Sequence, residues 1–352
     1  MNNKTDGQLK VCIVGAGMIF QKYHLPAMLN NEFLKLHAVV DKNQDVLNNV
    51  SSNYLGSVYK NIQDVKDCDL CLVATPPHVR ENVVIPALAQ GMHVVCEKPI
   101  SFSTEEAERM IKASIKYRKR LYVAHTRRFF PNIQAIRSFL KNRLFGENIE
   151  IVIVEGGAYG WESIANDRAR IDPTDYGVIH DEGAHVFDII SQFLTDLNIP
   201  VGSLECDAAI VDRKISPNNC KTLFKWNTDH SEGNILIKLS RNFNLQRRIF
   251  IRNHNFTVST RSLFSNELTI AFSDGRVLTI QDCSKSVKNL EQVFEDQWNS
   301  ILADIIGTNK DDTRASILAE SILPTYYIID KVISSAEAIK FDSYFGEDNS
   351  AW

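Results

Sequence analysis

Lys98 stands first among the residues whose type and spacing could do chemistry. It lies in Glu97-Lys98-Pro99, directly after the apolar residues 93–96. A proline restricts the residue before it to extended backbone and allows a cis peptide bond at low cost. The sequence therefore predicts an ammonium group fixed at the end of a strand. The alternative is a solvated lysine on a loop.

A second group of polar residues lies further along the chain. Asp181, His185 and Asp188 are spaced so that a helix would place all three on one face. A histidine beside a carboxylate can take or give a proton near neutral pH, as alcohol oxidation and carbonyl reduction both require. One alternative is a structural helix with a hydrogen-bonded histidine. Another is a metal site that adds His180, which is weakened because the H-E-x-x-H spacing is missing.

A glycine pair near the N-terminus has the placement of a phosphate-binding turn. Gly15 and Gly17 follow a short apolar strand and open a predicted helix, where bare backbone could approach a pyrophosphate. Phe20 occupies the third glycine position of G-x-G-x-x-G. It predicts a shifted helix or a side chain turned aside. An ordinary glycine turn is the alternative.

Asp41 ends the second predicted strand, where a carboxylate could bind both hydroxyls of an adenosine ribose. It favours NAD over NADP, although Lys42 beside it could tolerate a 2′-phosphate. Residues 75–78 interrupt the chain after a strand, as a loop over a cofactor would, or as a plain turn. The predicted cofactor-binding residues are Gly15, Gly17, Met18, Ile19, Asp41, Lys42, Thr75, Pro76, His78, Glu97 and Lys98.

These residues need elements that bring them to one edge of a sheet. Apolar runs predict strands, and amphipathic runs predict helices, one of which begins at the capping-box pair Ser103 and Glu106. Pro26 is expected to bend or break the first helix. The alternation predicts parallel strands with crossover helices. The strands are expected at 10–14, 36–41, 70–74, 93–95 and 121–124, and the helices at 19–30, 83–90 and 104–116.

The pattern changes after about residue 126 to longer alternating runs, typical of a largely antiparallel sheet. Residues 273–275 carry a hairpin turn signal. The runs are 149–158, 204–211, 222–226, 235–239, 248–253 and 268–280, and the helical patterns are 179–194, 290–306 and 314–338, the last with a predicted kink at Pro324. The sequence thus predicts an α/β chain with a Rossmann dinucleotide-binding domain, residues 1–126, and an α+β domain with a large open sheet, residues 127–352.

Composition limits the partners. The 352 residues carry a net charge of −4, so no general basic field attracts nucleic acid or an anionic membrane. The N-terminus lacks the apolar core of a secretion signal, and no run of ~18 apolar residues occurs. We expect a soluble, cytoplasmic protein. The seven scattered cysteines are expected to be reduced, with Cys68 and Cys71 buried bystanders in a strand.

Several motifs, taken in order over about residues 10 to 190, resemble the Gfo/Idh/MocA family of glucose-fructose oxidoreductase, inositol dehydrogenase and rhizopine catabolism proteins. Each motif is weak alone, but their order and spacing are intact. They are Gly15-x-Gly17, His24-Leu25-Pro26-Ala27, Asp41, Ala74-Thr75-Pro76-Pro77, Gly91-x-His93-Val94-Val95-Cys96-Glu97-Lys98-Pro99, Arg128-Phe129-x-Pro131 and Gly177-x3-Asp181-x-Gly183-x-His185-x2-Asp188.

The resemblance implies a nicotinamide-binding domain joined to a domain whose open sheet often forms an oligomer interface. It implies catalytic roles for three residues. His185 would be the general acid/base, Lys98 would hydrogen-bond substrate and tune its charge, and Asp181 would orient substrate or relay the proton. Arg127 and Arg128, at the expected hinge, could reach substrate hydroxyls or phosphate. The predicted substrate-binding residues are Lys98, Arg127, Arg128, Tyr159, Asp181 and His185.

Three functions follow as hypotheses. The first is an NAD(H)-dependent dehydrogenase or reductase, with NADP possible, acting on a sugar, amino sugar, sugar nucleotide or cyclitol as a dimer or tetramer formed through the C-terminal sheet. The second is an NAD-dependent glycoside hydrolase on the same scaffold. The third is a non-catalytic NAD-binding regulator, which is disfavoured because Lys98 and His185 are both retained. No metal is expected in any of them.

Overall fold

The computed structural model describes residues 7–53, 56–157, 177–211, 218–241, 243–260, 266–281, 283, 289–307 and 317–338. These residues pack as two compact units. The first unit contains the described residues up to Phe129, together with 289–307 and 317–323. The second unit contains the described residues from 130 to 283, together with 324–338.

The first unit is built on a six-stranded sheet in which every described pair of neighbours is parallel. Its order is β3-β2-β1-β4-β5-β6, so the strand order reverses beside β1, as in dinucleotide-binding sheets. Strands β1, β4 and β5 contain continuous buried apolar runs, because helices cover both faces of such sheets. The strands are β1 (Leu9–Val14), β2 (Leu34–Val40), β3 (Ser57–Tyr59), β4 (Leu70–Val73), β5 (His93–Cys96) and β6 (Leu121–Val123).

The helices of both units follow the predicted pattern with local differences. Ser103 caps α4 by accepting a hydrogen bond from the Glu106 N–H at 3.2 Å, which confirms the predicted helix start. Pro26 does not break the first helix. Helical backbone runs on from a π-helical turn, Phe20–His24, into α1, and Pro26 is the second residue of α1. The helices are α1 (Leu25–Leu29), α2 (Gln44–Asn53), α3 (Glu81–Ala89), α4 (Thr104–Tyr117), α5 (Pro131–Lys141), α6 (Glu182–Asp196), α7 (Leu290–Ile306) and α8 (Leu323–Ser335).

The second unit contains a sheet of nine described strands, ordered β14-β13-β12-β11-β7-β10-β9-β8-β15. Most neighbours are antiparallel, as predicted, while β7 and β10, and β8 and β15, pair in parallel. Gly275, at φ +88°, turns the predicted hairpin between β13 and β14. The strands are β7 (Asn148–Gly156), β8 (Glu205–Val211), β9 (Asn219–Thr228), β10 (Ser231–Ser240), β11 (Arg248–Arg252), β12 (Phe256–Thr260), β13 (Leu268–Phe272), β14 (Val277–Ile280) and β15 (Ala336–Ala338).

Three local expectations were wrong or incomplete. Pro324 does not kink a long helix, because it occupies the first turn of α8, where proline is well tolerated. Cys68 precedes β4 and is only half-buried, so the strand that contains Cys71 does not include it. The sequence patterns do not predict α2 or α5, although Pro131 marks the first turn of α5. All seven cysteines, each in the described part of the chain, are free thiols.

Helix α7 is distant in sequence from the strands of the first unit, yet it packs within that unit. The rings of Tyr23 and Phe294 stack with centroids 5.0 Å apart, and Asn30 donates a hydrogen bond to Glu295 at 3.0 Å. The predicted domain boundary at residues 126 and 127 stays a prediction. The described residues 289–307 and 317–323 return to the first unit. In the described residues, no helix has the length and apolar content to cross a membrane.

Candidate active site

The loops after β1 and β4 lie against each other at the carboxyl edge of the first-unit sheet. Gly15 has φ +90°, and its N–H donates to the Val40 carbonyl at 2.9 Å. A Cβ at Gly15 would lie 2.8 Å from the backbone of Ala74 and Thr75. Glycine is therefore required here by both the backbone conformation and the close approach of the second loop.

Gly17 has a different environment from Gly15. A Cβ built on it would meet no protein atom within 4 Å among the described residues. A π-helical turn, Phe20–His24, follows, and the Phe20 side chain is fully buried in the core. This wider turn agrees with the shift predicted from a phenylalanine at the third glycine position. The space beside Gly17 stays open for a ligand.

Asp41 brings a carboxylate to the glycine loop. Its Oδ2 accepts the Ala16 N–H at 2.9 Å, and its Oδ1 accepts the Asn43 N–H at 2.8 Å. The adjacent Lys42 is exposed, whereas Met18 and Ile19 are half-buried at the start of the turn. The predicted ribose-binding carboxylate and the predicted phosphate loop are thus in direct contact.

The loop after β4 contains a buried hydroxyl that lacks a partner. Thr75 Oγ1 has no hydrogen-bond partner among the described residues, and the Thr75 backbone borders Gly15. Pro76 and His78 are exposed on the same loop. The open space at Gly17, the Asp41 carboxylate and this hydroxyl together fit a dinucleotide cofactor.

Arg80 joins the loop after β4 to the loop after β5. Its guanidinium donates to the Thr75 carbonyl at 2.8 Å and to the carbonyls of Glu97 and Pro99. The side chain is buried, so these bonds replace water as its partners. Sequence reasoning missed Arg80. The available signal was a cation just before the start of a helix, where it opposes the helix dipole and needs another reason to be there.

Glu97 uses both carboxylate oxygens within the protein. Oε1 lies 2.7 Å from His24 Nε2, and Oε2 accepts the Lys98 N–H at 3.0 Å. Burial opposes ionisation of Glu97, but the bond to His24 and the charges of Arg80 and Lys98 hold its pKa below the ordinary value. Glu97 is 5% exposed. These contacts favour a positioning role for it over the predicted contact with a cofactor.

Lys98 is half-buried in the same loop, and its peptide bond to Pro99 is cis. Its own N–H is fixed by Glu97, and the carbonyls on either side of it are fixed by Arg80. The fixed lysine backbone expected from the sequence is therefore present at the end of β5.

Asp181 immediately precedes α6 in the second unit. A Cβ at Gly183 would lie 3.3 Å from Leu239 of β10, so glycine lets the helix start lie close to that strand. Arg241 follows β10, and its Nη2 lies 3.0 Å from Asp181 Oδ2. Sequence reasoning did not identify Arg241, because only the fold brings residues 181 and 241 together.

His185 and Asp188 have different environments on α6. His185 is half-buried, one turn beyond Asp181. Asp188 is buried, and its Oδ1 accepts a hydrogen bond from Thr325 Oγ1 at 3.1 Å, which joins α6 to α8. Asp188 thus has a structural role, as the alternative of a structural helix expects. Among the described residues, no group of three or more histidine, cysteine or acidic side chains could hold a metal ion.

The remaining predicted substrate contacts are Arg127, Arg128 and Tyr159. Both arginines are buried in the first unit, Arg128 to 1% exposure. Arg128 Nη1 donates to Ser321 Oγ at 2.9 Å, which favours a structural role that fixes the 126–129 turn. Tyr159 lies outside the described residues.

Comparison with known proteins gives a family match for the N-terminal part of the chain. Residues 9–125 match the model of the GFO_IDH_MocA family, described as an oxidoreductase family with an NAD-binding Rossmann fold. Over these residues, about a third of the chain, the protein is similar to the Gfo/Idh/MocA family. The predicted resemblance, the Rossmann fold of the N-terminal domain and its NAD cofactor are thereby confirmed.

Two curated proteins are similar to about half of this chain. The chain is 28% identical over 194 residues to an inositol 2-dehydrogenase/D-chiro-inositol 3-dehydrogenase of Shouchella clausii, covering 53% of this chain and 54% of that protein. It is 27% identical over 184 residues to the rhizopine catabolism protein MocA of Rhizobium meliloti, covering 51% and 56%. The chain thus aligns with about half the length of each relative.

Solved structures share the whole fold at low sequence identity. The 3-ketoreductase KijD10 of Actinomadura kijaniata superposes with a TM-score of 0.75 at 15% identity, covering 95% of this chain and 99% of that chain. The WlbA dehydrogenase of Bordetella pertussis gives 0.74 at 18% identity, covering 93% and 96%. This similarity establishes the two-part architecture beyond the 9–125 match.

Proposed function

We propose that this chain is an NAD(H)-dependent oxidoreductase that interconverts a CH–OH group and a carbonyl on a sugar, amino sugar, sugar nucleotide or cyclitol. One observation carries this proposal: bonds from Glu97 and Arg80 fix the backbone around Lys98 at the end of β5. The glycine loop and Asp41 lie at the same edge of the sheet. The names of similar proteins, an inositol 2-dehydrogenase and a 3-ketoreductase, support the substrate class.

The loops after β1, β2 and β4 would hold the cofactor. Gly17 leaves room for the pyrophosphate, Asp41 would bind the adenosine ribose, and Thr75 offers an unused hydroxyl. When bound, the nicotinamide supplies or accepts the hydride. Because Asp41 would face a 2′-phosphate with like charge, we propose NAD over NADP, although the exposed Lys42 beside it could offset this repulsion.

Three residues would handle the substrate oxygen and its proton. His185 would take the proton from the hydroxyl during oxidation and return it during reduction. The Lys98 ammonium would donate a hydrogen bond to that oxygen as negative charge develops on it. Asp181, held by Arg241 at 3.0 Å, would orient the substrate hydroxyls.

The first experiment follows NADH absorbance with the purified protein, NAD or NADP, and a panel of sugars, sugar phosphates, sugar nucleotides and inositols. Reaction with one substrate class supports the proposal. Failure to bind either dinucleotide contradicts it. Cofactor binding with release of an aryl sugar from a chromogenic glycoside, and no net NADH, would instead support the glycosidase hypothesis, and binding without any turnover would support the regulator.

The catalytic roles are tested by Lys98→Ala and His185→Ala. Each variant should lower kcat by roughly 10²–10⁴-fold, as expected for loss of a proton-transfer or charge-stabilising group, with little change in NAD affinity. The matched controls are Lys112→Ala and His230→Ala, which remove exposed side chains of the same types. Unchanged turnover in both site variants would remove these residues from the mechanism.

We also propose that the protein is cytoplasmic and forms a dimer or tetramer through the second-unit sheet. Val277 and Leu278 on edge strand β14 are 64% and 51% exposed, and covering such apolar side chains favours association. Light scattering on the purified protein tests this. A monomer at micromolar concentration would contradict it.

A further inference from the structure

We propose that Trp298, His24 and Glu97 form a buried hydrogen-bonded chain that holds Lys98 in its working position, with His24 neutral and protonated on Nε2. The inference rests on the proposed catalytic role of Lys98. It assigns positioning roles to two residues, His24 and Trp298, that do not belong to the predicted catalytic or cofactor-binding sets.

The direction of the hydrogen bonds follows from Trp298. Its indole N–H can only donate, and it points at His24 Nδ1 from 3.2 Å. His24 Nδ1 must therefore be an acceptor and carry no proton. The proton of the imidazole then lies on Nε2, which is 2.7 Å from Glu97 Oε1. Trp298 and His24 are fully buried, and the Glu97 side chain is 7% exposed, so water does not compete for these bonds.

This arrangement differs from a simple ion pair between histidine and glutamate. An imidazolium would need a second proton on Nδ1, the position at which the Trp298 N–H is aimed. With His24 neutral, the charge of Glu97 is left to balance the cations of Arg80 and Lys98. A buried carboxylate needs such compensation.

Aromatic side chains hold the imidazole in this orientation. The Phe294 ring meets the His24 ring edge-on with centroids 4.9 Å apart, and the Trp298 ring does so at 5.8 Å. Both rings belong to α7, which lies outside the 9–125 family match. A helix from the distal part of the sequence thus completes the support of the β5 loop.

The chain ends at the backbone of Lys98. Glu97 Oε2 accepts the Lys98 N–H at 3.0 Å, so rotation of the Glu97 carboxylate would release that N–H. A displacement of 1 Å in a catalytic group can cost about 10²-fold in rate. Loss of the Trp298 N–H should therefore act on turnover while leaving the dinucleotide loops after β1 and β2 intact.

The decisive variant is Trp298→Phe, which keeps an aromatic ring and removes the N–H. Its matched control is Trp226→Phe, which removes another buried indole N–H, bonded to Ser231 Oγ at 3.2 Å in the second unit. We expect Trp298→Phe to lower kcat by about 10-fold to 100-fold with KM and NAD affinity nearly unchanged. The control should keep kcat. Wild-type kcat in Trp298→Phe would overturn the proposal.

Two readouts do not depend on turnover. The ¹⁵N spectrum of histidine-labelled wild-type protein should show His24 protonated on Nε2 and not on Nδ1, and Trp298→Phe should add a form protonated on Nδ1. Hydrogen exchange of the Lys98 amide should be faster in Trp298→Phe and unchanged in Trp226→Phe. A wild-type His24 that carries a proton on Nδ1 refutes the chain even if the enzyme is active. The expected spectrum without turnover on any substrate refutes the proposed function instead.

Conservative replacement of His24 separates positioning from packing. In His24→Gln the amide nitrogen can occupy the place of Nε2 and still donate to Glu97, whereas His24→Leu cannot donate. We expect His24→Gln to retain most of kcat and His24→Leu to lose it. Equal kcat losses that follow equal losses of stability would show that His24 only fills the core.

Discussion

Gly15 and Gly17 look equivalent in the sequence, but their surroundings predict opposite effects of alanine substitution. A Cβ at Gly15 would meet the backbone of Ala74 and Thr75 at 2.8 Å, with φ at +90°. A Cβ at Gly17 would meet nothing within 4 Å in the part of the chain described. Gly15→Ala should therefore damage the fold, and Gly17→Ala should damage cofactor binding.

The size of the Gly15→Ala effect follows from two costs and one gain. A side chain in the left-handed region costs about 1–2 kcal/mol. Overpacking against backbone that cannot rotate away costs about 1–3 kcal/mol. The reduced entropy of the unfolded chain returns about 0.4–1 kcal/mol. The net loss is roughly 1–5 kcal/mol, or a fall in Tm of roughly 2–20 °C for a domain of this size.

Gly17→Ala should leave the free energy of unfolding within about 1 kcal/mol of wild type. The added methyl group enters the space proposed for the pyrophosphate, where an overpacked contact of about 1–3 kcal/mol weakens NAD binding about 5-fold to 150-fold. Urea unfolding without cofactor and calorimetric titration with NAD measure the two effects. Wild-type stability in Gly15→Ala, or wild-type NAD affinity in Gly17→Ala, would refute this reasoning.

Three further predictions concern buried polar groups. Arg80→Lys should lower the free energy of unfolding by about 2–4 kcal/mol in urea, because one ammonium cannot satisfy all of the carbonyls that the guanidinium binds; a change under 1 kcal/mol would contradict this. Arg137→Leu should cost about 3–5 kcal/mol by leaving buried Asp196 without its 2.6 Å partner, and adding Asp196→Leu should restore part of the loss. Burial, and then the charges of nearby lysine and arginine side chains, lower the pKa of His93. As the pH falls, this histidine is therefore protonated in the unfolded chain before it is protonated in the folded protein. The free energy of unfolding should then decrease as the pH drops below about 6.5. His93→Gln should flatten this dependence between about pH 7.5 and pH 5.5, and an unchanged slope would exclude His93 as its source.

The sequence by itself determined the features that depend on the spacing of neighbouring residues or on the periodicity of apolar residues. Continuous apolar runs specified the parallel strands of the first unit, since both faces of that sheet are covered. Alternation specified most strands of the second unit, and Gly275 specified its hairpin. The glycine loop, Asp41 and Lys98 were identifiable because each follows a predicted strand, and the carboxyl ends of parallel strands meet at one edge of a sheet.

Only the tertiary structure decided which distant residues hold the candidate site residues of each unit. Trp298 contacts His24 across 274 positions of sequence, and Arg241 pairs with Asp181 across a helix and several strands. Neither contact follows from a periodic pattern or a fixed spacing in the sequence. The burial of Arg80 and Arg128 was equally hidden, because an arginine is placed inside only when carbonyl or hydroxyl acceptors from separate segments converge on it. Local chemistry thus specified the candidate site residues, and long-range packing specified what holds them in place.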